Sequence, residues 1–172
     1  LGEPLPEPGG TVELVREVAR ECPLPINRDT TIKAQAWILH TQIAWELQAE
    51  AKAEVVVCDR AVLDNYCYLK RAAPGDPQVK VLEDLVKAWL PTYDALFRVP
   101  IVGDPSFDGV RDTDLAFQHD IDALLLATLE EWSVPFVALD AVCREGWAKC
   151  AIENLLPALR PQELLFPEAG GR

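Results

Sequence analysis

The sequence contains no methionine at any of its 172 positions. A chain that opens at Leu1 without one reads as a fragment or a processed product. Basic charge is also scarce: 16 Lys and Arg face 28 Asp and Glu, a net charge of −12. That balance argues against electrostatic capture of nucleic acid or of an anionic membrane. Histidine is confined to His40 and His119, and neither sits in a metal-ligand pattern. The five cysteines, Cys22, Cys58, Cys67, Cys143 and Cys150, form no C-x-x-C pair and are odd in number. They read as buried or free thiols in a reducing cytosol, so a cytoplasmic location is expected. No apolar run approaches the ~20 residues that span a bilayer, and no signal-peptide pattern opens the chain. No internal repeat is present.

What remains is ample for a folded domain: 49% of the residues are hydrophobic, in a length that suits one core. The stretch Ala53-Glu54-Val55-Val56-Val57-Cys58-Asp59-Arg60 organises the reading. Its β-branched run predicts a strand buried on both faces, ending in an adjacent acid and base. Open parallel α/β sheets bind their ligands at that edge. Asp59 there can hold a magnesium ion through water, and Arg60 can pair with an anionic or hydroxylated substrate. Equally, Asp59 can simply cap the helix that follows.

Around that strand the pattern alternates. Residues 1–10 carry three prolines and three glycines and read as a loose tail or connector. Residues 11–16 predict a short strand and 17–21 a helical turn. Glu13, Glu17 and Glu21 can instead form one solvated helix face with Arg16 and Arg20. Asp29 or Thr30 is the expected cap of a long helix over 31–52, with Ile32, Leu39, Ile43 and Leu47 turned to the sheet. Helices are expected over 61–71, 78–89, 115–132 and 140–159. The last of these would put Cys143 and Cys150 on one face. Strands are expected over 95–102 and 134–139, with Pro100 and Pro135 weakening their ends. This alternation predicts an α/β fold with a mainly parallel sheet, a domain over 11–160 and a loose tail over 161–172.

Three ordered stretches carry a resemblance: V-E-L-V-R-E-V-A-R-E from Val12, V-V-V-C-D-R-A-V-L-D-N-Y-C-Y-L from Val55, and F-D-G-V-R-D-T-D from Phe107. Together they resemble P-loop kinases of the nucleoside, thymidylate and ribosylnicotinamide type, and most closely the NadR-like group of AAA-type ATPases. The resemblance implies a three-layer α/β/α P-loop NTPase fold, ATP and Mg2+ as cofactors, and transfer of the γ-phosphate to a small nucleoside-like acceptor. It implies Asp59 as the magnesium holder, Arg60 on the acceptor and Glu17 taking the hydroxyl proton. The helix over 31–52 would line the acceptor pocket, with Trp37, Gln42 or Trp45 against a substrate ring. Arg111, in the loop 103–114, would swing onto the transferred phosphoryl group as a lid and touch the cofactor there. That loop also reads as a surface turn in which Arg111 pairs with neighbouring acids.

The family opens with a strand and G-x-x-x-x-G-K-[ST], and this sequence contains no such motif. The expectation is therefore a P-loop protein lacking its first strand and phosphate loop, inactive by itself. Losing that strand would leave 55–58 and 96–101 beside a gap in the sheet, unless the two closed on each other or borrowed a strand. Two other readings stay open: a binding or regulatory module without a triphosphate site, and an AAA-type ATPase acting on a protein partner. A homo-oligomer is compatible with each.

Overall fold

The computed structural model describes residues 11–102 and 114–159. Both predicted tails and the lid loop with Arg111 lie outside them. The observed order is strand β1 (Val12–Val15), helix α1 (Ile32–Glu50), β2 (Val55–Cys58), α2 (Val62–Ala72), α3 (Pro77–Trp89), β3 (Phe97–Arg98), α4 (Leu115–Glu131), β4 (Val137–Ala138) and α5 (Trp147–Leu159), with short 3-10 turns between. The α/β class with parallel strands is as the sequence predicts.

The strands form two parallel pairs, β1 with β2 and β3 with β4. Val12 to Val15 lie in register with Val55 to Cys58, so both chains run out at the same edge. Among the described residues β2 does not pair with β3, so the two have not closed on each other. Helix α1 packs on β1 and β2. The opposite side of that pair is open among the described residues: Val12, Leu14 and Val57 are 64%, 56% and 47% exposed. The expectation that β2 is buried on both faces is thus corrected, because a single helix layer covers it. The second pair is shorter than predicted. β3 stops before Pro100 and β4 starts after Pro135, since proline has no N–H to give the ladder.

The helices begin where their caps allow. Thr31, not Asp29 or Thr30, caps α1, its Oγ1 accepting from the Ala34 N–H at 3.2 Å. The Thr30 hydroxyl accepts instead from Gln35 Nε2 at 2.8 Å. Asp76 caps α3 and Asp114 caps α4 through the Phe117 N–H. Helix α5 starts seven residues later than expected, because Asp140 accepts from the Val142 N–H at 2.8 Å and holds a turn there. Cys143 lies outside α5 and is exposed, so it shares no helix face with Cys150.

One apolar cluster holds α2, α3 and α4 together, built from Leu63, Tyr66 and Leu69 of α2, Leu82 and Val86 of α3, and Leu129 of α4. Tyr66 also stacks on Trp132, ring centroids 4.8 Å apart. Two turns before Leu129 on α4, Asp122 makes a forked pair with Arg98 of β3 at 3.2 and 2.6 Å.

Helix α1 departs most from its predicted face. Leu47, expected inward, is 51% exposed, and the buried stripe is Ala34, Gln35, Ile38, Leu39, Gln42, Glu46 and Ala49. Three of these seven are polar. Choosing the most apolar side by sequence therefore rotates the helix away from its true inward face.

Candidate functional site

At the C-terminal edge of β1 and β2 the chain turns twice. After Val15 it passes through Glu17 into a 3-10 turn, and after Cys58 through Asp59 and Arg60 into α2. The parallel register brings these two exits side by side, and the Asp59 N–H donates to the Val15 carbonyl at 2.8 Å. Arg60 adopts φ of 90°, a left-handed conformation that a side-chain-bearing residue holds at a cost of about 1–3 kcal/mol. Such strain persists only where the surroundings impose it.

Those surroundings are specific. Arg60 Nε lies 3.4 Å from Glu17 Oε1, and Arg60 Nη1 donates to Asp64 Oδ1 at 3.2 Å. Asp64 Oδ2 also accepts from the Ala61 N–H at 3.0 Å, so one carboxylate caps α2 and anchors the arginine. The other Glu17 oxygen accepts from Arg20 Nε at 2.9 Å. Burial acts to lower the pKa of the Arg60 guanidinium, yet Asp64, Tyr68 and Glu17 together raise it, so it stays charged. The reading of Glu13, Glu17 and Glu21 as one helix face fails, because Glu13 belongs to strand β1.

Beneath this cluster lies a cavity of about 30 Å³, room for about one water, whose walls include Glu17, Gln35, Gln42, Arg60, Asp64 and Asn65. Gln35, Gln42 and Asn65 are 3%, 0% and 7% exposed. Gln35 Oε1, Gln42 Oε1 and Asn65 Nδ2 are the buried side-chain atoms without a hydrogen-bond partner among the described residues. All three residues line this one space. Buried polar groups are normally satisfied, and each one left open costs about 1–3 kcal/mol, so three such residues around one cavity concentrate unmet hydrogen-bonding capacity there.

The predicted site residues fall into groups. Glu17 and Arg60 come together at the cavity. Gln42 lines it, whereas Trp37 and Trp45 do not. Asp59 is adjacent but exposed, and its carboxylate makes no hydrogen bond among the described residues. Arg111 lies outside those residues. His40 is an exposed side chain whose Nδ1 sits 2.6 Å from the Ala36 carbonyl of its own helix. Sequence reading missed Gln35, Asn65, Asp64 as an anchor, and Glu46. The signal was present for α1, where Gln35, Gln42, Glu46 and Ala49 recur at helical spacing, but a polar stripe reads as a solvated face until something packs on it.

Glu46 is 2% exposed and makes no ion pair among the described residues. Its Oε1 accepts from Gln42 Nε2 at 2.7 Å and Tyr93 Oη at 2.9 Å, and its Oε2 from Trp89 Nε1 at 2.6 Å. Tyr93 Oη in turn accepts from the Val62 N–H at the start of α2, at 3.1 Å. Burial and Glu46 push the neighbouring Cys58 thiol up to about 12, and burial pushes Cys67 up to about 12 as well. Both shifts disfavour the thiolate form that a nucleophilic cysteine needs.

Among the described residues no helix is long and apolar enough to cross a membrane, and no three acidic, histidine or cysteine side chains cluster to hold a metal unaided. A comparison with curated proteins returned no match. The family model for an AAA domain matches residues 5–145, a span that contains both strand pairs and the whole Arg60 cluster. That match covers most of the chain, which therefore belongs to the AAA domain family, a nucleotide-binding group of the P-loop NTPase type.

Proposed function

We propose that this chain carries the acceptor side of an ATP-dependent P-loop kinase whose acceptor is a small nucleoside-like molecule. The observation that supports this reading is the pairing of Glu17 with Arg60 at the C-terminal edge of the parallel strands, beside a small polar cavity. Arg60 binds the acceptor, since a forked, permanently charged donor suits hydroxyl or anionic oxygens. Glu17 receives the acceptor's hydroxyl proton. Its two oxygens are each engaged by one arginine, and each keeps a second lone pair for that purpose.

Asp59 suits magnesium, because its exposed carboxylate is free of protein hydrogen bonds among the described residues, and Mg2+ is commonly held by one carboxylate plus water and phosphate. The bound ion would shield negative charge on a transferring phosphoryl group. The phosphate cradle is a different matter. The sequence has no G-x-x-x-x-G-K-[ST] and the described residues supply no substitute, so no step is assigned to ATP, and Arg111 keeps its lid role as part of the proposal alone. The second reading is a nucleoside-binding module without phosphoryl transfer, which shares the Arg60 cluster with the first.

Calorimetric titration with a panel of nucleosides, and separately with ATP and Mg2+, distinguishes these. The kinase reading expects nucleoside binding that Arg60→Ala abolishes, together with a phosphorylated nucleoside when ATP is added. Nucleoside binding without ATP binding selects the module. No binding of any nucleoside, or binding indifferent to Arg60→Ala, removes both.

A further inference from the structure

A buried carboxylate with no cation is costly unless its oxygens are fully used. Glu46 uses both, and its donors come from different elements: Gln42 from its own helix, Trp89 from α3, and Tyr93 from the turn after it. An apolar side chain at position 46 facing phenylalanine at 93 would fill the same volume at less risk. What Glu46 adds is direction. Gln42 Nε2 donates to Glu46 Oε1 at 2.7 Å and to the Arg60 carbonyl at 3.2 Å, and both of these atoms only accept. The Gln42 amide is thereby fixed with its nitrogen on these two acceptors, while its buried Oε1 has no partner among the described residues. The same amide grips the carbonyl of Arg60, the residue at φ of 90°.

We propose that Glu46 is a positioning residue for the Arg60 site: through Gln42 it holds the Arg60 carbonyl and with it the left-handed Arg60 turn. It touches no ligand. This inference rests on the acceptor-site reading above for its functional meaning, but its structural content is tested independently.

Glu46→Gln is the direct test. Three donors then face one amide oxygen and one amide nitrogen, so at least one donor loses its acceptor. In the full chain, NMR is expected to show loss of the strong amide-to-Hα signature of positive φ at Arg60 and faster exchange of the Gln42 side-chain NH2. Nucleoside affinity should fall by up to about 100-fold, the scale of a ~1 Å misplacement. Leu39→Ala, a buried change on the same helix, is the control: it should lower stability without moving either signature. A folded Glu46→Gln variant with both signatures intact overturns the proposal. If that variant does not fold, the unaltered protein decides: a Gln42 NH2 that exchanges as fast as that of exposed Gln48 overturns it, and strong protection upholds it. Signatures that shift as expected in a protein binding no nucleoside would uphold the positioning role and remove the nucleoside reading alone.

Discussion

Helix α2 has two seams, and they are built from opposite materials. Toward α3 and α4 it presents Leu63, Tyr66 and Leu69 to an apolar cluster. Toward α1 and the strand ends it presents Asp64, Asn65 and Tyr68 to a small polar cavity with open hydrogen-bonding atoms. Both seams are buried, yet only the first is what burial alone favours. The contrast teaches where stability and function separate: the apolar seam can lose nothing without loosening the fold, whereas the polar seam already carries strain and unmet bonds.

The largest effect should come from breaking the apolar seam. Leu69→Ala leaves a cavity among α2, α3 and α4 and should destabilise by about 2–5 kcal/mol in urea melts. An equal loss from the polar seam's Gln35→Met would erase the contrast; that change removes an unsatisfied oxygen along with the amide bond to the Thr30 hydroxyl, so it is expected to stay within about 1 kcal/mol of the parent.

A pH scan probes the apolar seam's rim. Lys87, Lys80 and Tyr66 all donate to Glu83, and these bonds, that of Lys87 foremost, lower its carboxyl from 4.5 to about 2. A depressed folded-state pKa means the stabilisation is present above about 4.5 and fades as pH falls toward 2. Glu83→Gln should therefore flatten the stability curve in that window, and an unchanged acid limb would refute the assignment.

Arg60→Gly sharpens the comparison from the other side. Glycine takes φ of 90° without strain, while the lost pairs to Glu17 and Asp64 involve a guanidinium that is 36% exposed and are worth little. Thermal stability should hold or rise by up to ~1 kcal/mol while nucleoside binding disappears. The smallest effect belongs to Asp59→Ala, expected within about 0.5 kcal/mol of the parent in stability because the side chain is exposed. Any consequence there should appear only in magnesium dependence.

Much of the fold was legible. The run Val55–Cys58 between turn signals, the long breaker-free helix after Thr31, and the apolar spacing of Val79, Leu82 and Val86 announced their elements from local chemistry. Glu17 and Arg60 were legible as a site pair only through the resemblance, because 43 positions separate them and nothing local shows that two parallel strands end together. The extent of the short strands was not legible, since a strand ends where its partner's donors end, and Pro100 and Pro135 act on neighbours across the ladder.

By itself, then, the sequence determined the alternation of strands and helices, the acidic balance of charge and the acid-base pair at the end of β2. These follow from propensity, periodicity and charge, which act over a few residues. Tertiary structure alone decided that the polar stripe of α1 faces inward, that Glu46 gathers Trp89 and Tyr93, and that Gln35, Gln42 and Asn65 share one cavity. A glutamine at helical spacing looks the same whether it meets water or a second helix; only packing removes the water and makes its bonds consequential.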